Sequence, residues 1–285
     1  MTAEIVLQVI VNGLVAGAIY TLVALGLTLV FGIGRVFNFA HGEFYMLGAF
    51  ATYYASEYFH LPYFLSVIIA MLIVALIAVL IEAIFFRRVR GEFHAPMIIS
   101  LGLTMVLSCA AFVVFGQQDK AVAGAVSGII NVLGITISTE RVATIIVALI
   151  LLLGLYVFLR RTKAGQALQA VAQDSEAAAV QGIDANHISS LSFAISGLLA
   201  GAAGALIAPL FTINSFMGSA VIFKIAGIVI IGGMGSLGGA MLGGFFWGMT
   251  ESIAATLIGI NAQLVVFGAL AVVLLLRPKG FFGRD

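Results

Sequence analysis

The sequence predicts an all-α, polytopic membrane protein with eight to nine transmembrane helices. Three observations carry this: 62% of the 285 residues are hydrophobic, only 9% are charged, and apolar runs of spanning length recur from end to end. A soluble globular domain carries about 25% charged residues, so a soluble chain this poor in charge would leave its surface uncovered. Mean hydropathy is +1.21. The net charge of +1 gives no field for nucleic acid. A lone cysteine, Cys109, excludes an internal disulfide framework and thiolate metal clusters.

A spanning helix needs about 20 mostly apolar residues. Runs fall at 5–31, 38–56, 61–86, 96–115, 141–159, 187–210, 220–233, 240–258 and 261–276. No basic residue precedes the first run, and Arg35 is the first cation, so residues 5–31 read as a retained helix and not a cleaved leader. The seventh run is short and ends in a glycine-rich stretch, which suggests a broken or re-entrant helix. Residues 1–285 read as a single transmembrane domain with one cytoplasmic segment, 160–186.

Cations set the orientation. They gather at Arg87-Arg88-Val89-Arg90, at Arg160-Arg161-Thr162-Lys163, and at Arg277-Pro278-Lys279 with Arg284. The positive-inside rule places all three in the cytoplasm. The amino terminus and residues 116–140 then lie outside, and the carboxyl terminus inside.

Glycines at Gly13/Gly17 and Gly197/Gly201 have the small-xxx-small spacing of close helix packing; a glycine-lined path is the alternative reading. Two stretches echo each other: Asn12 through Ala18 with Ser196 through Ala202, and Met46 through Phe50 with Met241 through Phe245. Each pair reads as opposite-running mates, as an inverted repeat would place them. Coincidence stays open in a chain so rich in Gly, Ala and Leu.

Residues 160–186 are polar, rich in alanine and glutamine, and suited to helix. Gly182 reads as a terminator with positive φ, and Leu168, Val171 and Ala172 share a face with Ala178 nearby. A short alanine-rich helix projecting into the cytoplasm fits a groove on a partner. Glu176-Ala177-Ala178 followed by Gly182 resembles the "EAA…G" loop with which ABC importer permeases dock on their ATPase.

Polar residues inside the spans are the other candidates. Asn38 reads as a cap of the second span, with Glu43 in its first turn. His41 and Glu43 are read either as structural or as one gating network; two such groups are too few for a metal site. Glu82 is expected to pair with Arg87 and Arg88. Glu251, alone in a span, must face protein or water. Lys224 reads as snorkelling outward or attracting a carboxylate substrate, and Asn214 and Ser215 as part of an outer docking surface. No HExxH, GxSxG or acid–base pair stands out, so the chain is not read as an enzyme.

The chain as a whole resembles the LivH-type permeases of branched-chain amino acid ABC transporters. The resemblance rests on Asn12-Gly-Leu through Tyr20, Ala24 through Gly32, Asn38-Phe-Ala-His-Gly-Glu43, Arg161-Thr through Gly165, Ala170-Val-Ala-Gln-Asp174 and Gly182-Ile. It continues through Phe193-Ala-Ile-Ser-Gly197, Ala200-Gly, Gly232-Gly-Met-Gly-Ser236, Gly239-Ala and Arg277-Pro-Lys-Gly280. Gln169 departs from it, standing where the family has a basic residue. The resemblance implies an ABC importer permease fold in the bacterial inner membrane. It also implies a homologous second permease subunit, two cytoplasmic ATP-binding subunits, and a periplasmic solute-binding protein. Coupling to the ATPase would fall to Ala170, Asp174, Glu176, Ala177, Ala178 and Gly182. The translocation path would involve Asn12, Asn38, His41, Glu43, Lys224 and Glu251. No Gly-Lys dipeptide occurs, so no Walker A loop exists here; ATP and Mg belong to the partners, and this chain needs no cofactor or metal. The same family also carries urea, amides and aromatic or dicarboxylic acids, and an ion-coupled secondary carrier is the rival class.

Overall fold

The computed structural model describes residues 3–35, 37–92, 94–124, 128–132, 135–277 and 280–282. Pro278, Lys279 and Arg284 of the last cation cluster lie outside them. Each predicted apolar run contains a helix: α1 (Ala3–Gly34), α2 (His41–Tyr53), α3 (Tyr63–Ile84), α4 (His94–Phe115), α5 (Thr139–Arg161), α8 (Ala185–Ile207), α9 (Met217–Gly232), α10 (Leu237–Ile258) and α11 (Ala262–Leu276). Among the described residues, six helical segments are long and apolar enough to cross a bilayer alone, whereas α9 and α11 are shorter. Within the polar segment 160–186 the chain folds as α6 (Lys163–Gln173) and α7 (Ser175–Val180).

Helix α2 is short because it starts inside the bundle. His41, its first residue, bonds the Val23 carbonyl of α1, and α1 continues eleven residues further, to Gly34. Residues 37–40 therefore lie back along the last turns of α1. The expected cap is corrected here: Ala40 occupies the N-cap with no side-chain bond. Asn38 instead accepts the Ala40 N–H at 3.0 Å, shaping the turn ahead of the helix.

Between α4 and α5 the chain adds a hairpin, β1 (Ile129–Val132) antiparallel to β2 (Ile135–Ser138). The all-α reading missed it, although β-branched residues dominate both strands and favour extended backbone. Ser138 then caps α5, accepting the Glu140 N–H.

Small residues bring the central helices together. Gly13 and Gly17 of α1 lie against Met249 and Phe245 of α10, while Gly197 and Gly201 lie against α3 at Ala78 and Val74. These four glycines serve helix packing, not an open path. The numbering of the contacts makes α10 antiparallel to α1. On α2, His41 meets Ser196 and Gly48 meets Gly201, so α2 and α8 run parallel. The end of α1 and the start of α8 share one side next to α6, as Gly32 beside Ala172 indicates. The first echo thus joins opposite-running helices, α1 and α8. The second joins α2 and α10, which run the same way, so inversion does not relate that pair.

Two outer-side expectations change as well. Ser215 is buried, its hydroxyl turned to the Gly116 carbonyl at 3.4 Å, so it offers no docking surface. Asn214 accepts the Phe216 N–H at 3.1 Å ahead of α9.

Candidate functional site: an exposed helical elbow and an intramembrane charge cluster

At the inner end of α5 the chain turns sharply into α6. Thr162 makes the corner: its hydroxyl donates to the Phe158 carbonyl at 2.7 Å and accepts the Gly165 N–H at 3.0 Å. Gly165 is required because α6 presses on α5 there; a Cβ would stand 2.2 Å from the Phe158 carbonyl oxygen. Gln169, the departure from the family pattern, donates its side-chain amide to the Leu159 carbonyl at 2.9 Å. It thereby satisfies one of the orphan acceptors at the end of α5.

Leu168 and Val171 of α6 are buried and anchor the elbow to the bundle. Ala170 is partly buried on the neighbouring face, and Ala172, expected beside them, is exposed. Asp174 starts α7 by accepting the N–H groups of Glu176 and Ala177 at 3.0 and 2.9 Å. Such a cap is worth about 1 kcal/mol. Ala178 is buried and fixes α7 against the chain, while Glu176, Ala177 and Ala179 are exposed. Val180 is 86% exposed. Gly182 has φ +81° and ends the elbow as expected. Asp184 then caps α8 through the Asn186 N–H at 2.7 Å. That bond, helped by His187, holds its carboxyl below the usual carboxylate range. Its cap is present above that range and is lost as pH falls through the lowered folded value.

Above the elbow, Glu82 at the inner end of α3 is fully buried and clasped from several sides. Arg87 reaches it at 3.1 Å, Arg90 contacts its other oxygen, and Ser189 and Ser190 of α8 donate at 3.1 and 2.8 Å. The expected pairing with Arg87 is present. Arg90 and the two serines complete it in place of Arg88. Charge-assisted bonds of this kind are each worth about 1.5–3 kcal/mol.

Deeper in, the predicted path residues separate. Asn12 accepts from Gln8 at 3.5 Å and from Arg141, tying α1 to α5. His41 Nε2 lies 2.9 Å from the Val23 carbonyl and Nδ1 lies 3.1 Å from the Ser196 hydroxyl. A carbonyl only accepts, so Nε2 carries the proton, and Nδ1 of the neutral ring accepts from Ser196. His41 is thus a junction of α1, α2 and α8. Glu43 points elsewhere, against Gly218 of α9 and toward the Ser108 hydroxyl of α4, with its carboxyl oxygens buried. The two do not form a shared network.

Lys224 and Glu251, in contrast, come together. Lys224 Nζ stands 2.5 Å from Glu251 Oε1 and donates to the Tyr20 hydroxyl at 2.9 Å, with the ammonium 5.1 Å from the Tyr20 ring centroid. The outward-snorkelling reading of Lys224 is corrected: α9, α10 and α1 converge on it. The two side chains keep 14% and 21% exposure, and the Tyr20 hydroxyl also meets the Glu251 carboxylate. The signal available in sequence was sign: one cation and one anion in successive apolar runs, each too costly to bury alone.

Multi-pass apolar helices, polar residues buried among them and an exposed helical elbow fit a membrane permease subunit. The chain belongs to the family described as "Branched-chain amino acid transport system / permease component", which matches residues 9–275. It is 33% identical to the high-affinity branched-chain amino acid transport system permease protein BraD of Pseudomonas aeruginosa, over 98% of this chain and 96% of that protein. Identity to the corresponding permease protein LivH of Escherichia coli is 30%, over 98% and 96%. A solved structure, "PsaBC from Streptococcus pneumoniae in complex with Fab", shares the fold with TM-score 0.54 at 15% identity, covering 98% of this chain and 97% of that one.

Proposed function

We propose that this chain is one transmembrane subunit of an ATP-driven importer for branched-chain amino acids in the bacterial inner membrane, with its carboxyl terminus in the cytoplasm. A homologous permease subunit supplies the other half of the path. Two ATP-binding subunits hold ATP and Mg and dock on the elbow, and a periplasmic binding protein delivers substrate. The observation that carries this reading is the elbow itself: α7 is held rigidly from within by Asp174 and Ala178, yet turns Glu176, Ala177 and Val180 outward. A rigid lever with an exposed apolar tip is what a partner's closing motion needs to grip.

Within the bilayer, the Lys224–Glu251–Tyr20 cluster supports a role in the path. Charged side chains in spanning segments face a protein interface or a water-filled cavity, so the partly open side of this pair faces the path and not lipid. An amino acid carries one ammonium and one carboxylate, the complement of this pair. Replacing Glu251 by Gln leaves Lys224 without its counter-ion. Leucine uptake by the assembled transporter is expected to fall about tenfold, equivalent to 1.4 kcal/mol, while stimulated ATP hydrolysis persists. The charge-exchanged double variant Lys224→Glu/Glu251→Lys is expected to recover part of the uptake. Full uptake in Glu251→Gln would contradict the role.

A further inference from the structure

We propose that the inner-leaflet end of α10 and α11 forms a binding site for one anionic phospholipid. Arg277 follows the last residue of α11, and residues 280–282 lie on the end of α9. The Phe281 N–H donates to the Ile231 carbonyl at 2.7 Å and the Phe282 N–H to the Gly232 carbonyl at 3.2 Å. These bonds satisfy acceptors that the end of α9 would otherwise leave open. They also hold both phenylalanines beside α10, with the Phe281 and Phe246 rings edge to face at 6.3 Å.

Between these elements lies a cavity of about 490 Å³ lined by Leu242, Phe246, Arg277, Phe281 and Phe282. Its lining has one charge, the exposed Arg277 guanidinium, which has no hydrogen-bond or ion-pair partner among the described residues. The other walls are apolar and exposed. Counting from the start of α10 at the inner side, Leu242 and Phe246 lie about 8 and 14 Å along the helix by its 1.5 Å rise. The site therefore grades from a cation at the interface to hydrocarbon-compatible walls within the bilayer. A phosphate on Arg277 with the first acyl carbons along Leu242 and Phe246 satisfies both ends. A zwitterionic lipid offers the cation less net attraction, and a free anion leaves the apolar walls unfilled.

Native mass spectrometry of the purified full-length chain tests this with phosphatidylglycerol, phosphatidylcholine and inorganic phosphate as probes. One phosphatidylglycerol is expected to remain bound through delipidation that removes phosphatidylcholine. Arg277→Gln is expected to reduce retention about tenfold, the loss of one charged contact. Leu242→Glu, which sets a carboxylate in the apolar wall beside the guanidinium, is expected to do the same, while Arg88→Gln, at another cation, leaves retention unchanged. Equal retention of both lipids, displacement by inorganic phosphate, or retention unaltered in both site variants would overturn the proposal.

Discussion

Replacing Gly48 by leucine is expected to leave no folded protein, whereas the same replacement at Gly102 leaves thermal stability unchanged. At Gly48 an added Cβ would stand 2.5 Å from the Gly201 carbonyl oxygen and 2.7 Å from its Cα. The obstacle is backbone, so no side chain can swing aside; either α2 or α8 must move. Overpacking a core ordinarily costs about 1–3 kcal/mol, and displacing two helices that also carry His41 and Ser196 exceeds that. Against a net stability of roughly 5–15 kcal/mol, the larger side chain is not tolerated. Gly48→Ala should fold with a lowered midpoint. Gly102 lies on α4 with open space around it. Thermal unfolding in detergent, followed by size-exclusion chromatography, separates the two outcomes. Similar melting of the Gly48 and Gly102 leucine variants would mean that the α2–α8 crossing is not a close one.

The second large effect is expected at the elbow. Val180→Glu should cut co-purification of the ATP-binding subunit at least about tenfold and abolish nucleotide-driven uptake, with the permease itself still folded. Val180 is 86% exposed, so the chain loses little of its own packing. A docked apolar contact at an interface centre is worth about 2 kcal/mol or more, and a buried, unpaired carboxylate adds a desolvation cost. Ala177→Arg, also on the exposed side, should act in the same direction. Ala178→Arg differs: Ala178 is buried, so that variant should destabilise the elbow itself. Blue-native electrophoresis of the assembled complex, with uptake measured in parallel, reads both effects.

Much of this architecture was legible from composition and charge. The spans announced themselves through hydropathy. Glu82 was legible because an acid and two arginines lay within reach on one chain segment. The elbow was legible through Gly182 and the alanine run, whose helical preference is local. What stayed hidden depended on contacts between distant segments. The Lys224–Glu251 pairing has no local signature, because nothing near Lys224 in the sequence shows that α10 presents Glu251 to it. His41 and Glu43 were read together because they are two residues apart, yet on a helix that spacing turns them to different neighbours. Asn38 looked like a cap, but α2 begins where the returning chain meets α1, a position set by tertiary packing. The tail's grip on α9 uses backbone groups, which carry no residue signature.

The central claim is that this chain moves solute only when an ATP-hydrolysing partner grips α7. Leucine accumulation in proteoliposomes, compared between the complete complex with ATP and this polypeptide alone, tests it directly. The account predicts accumulation in the first and none in the second, with Val180→Glu reducing the first to the second. Concentrative uptake by the isolated chain would contradict it.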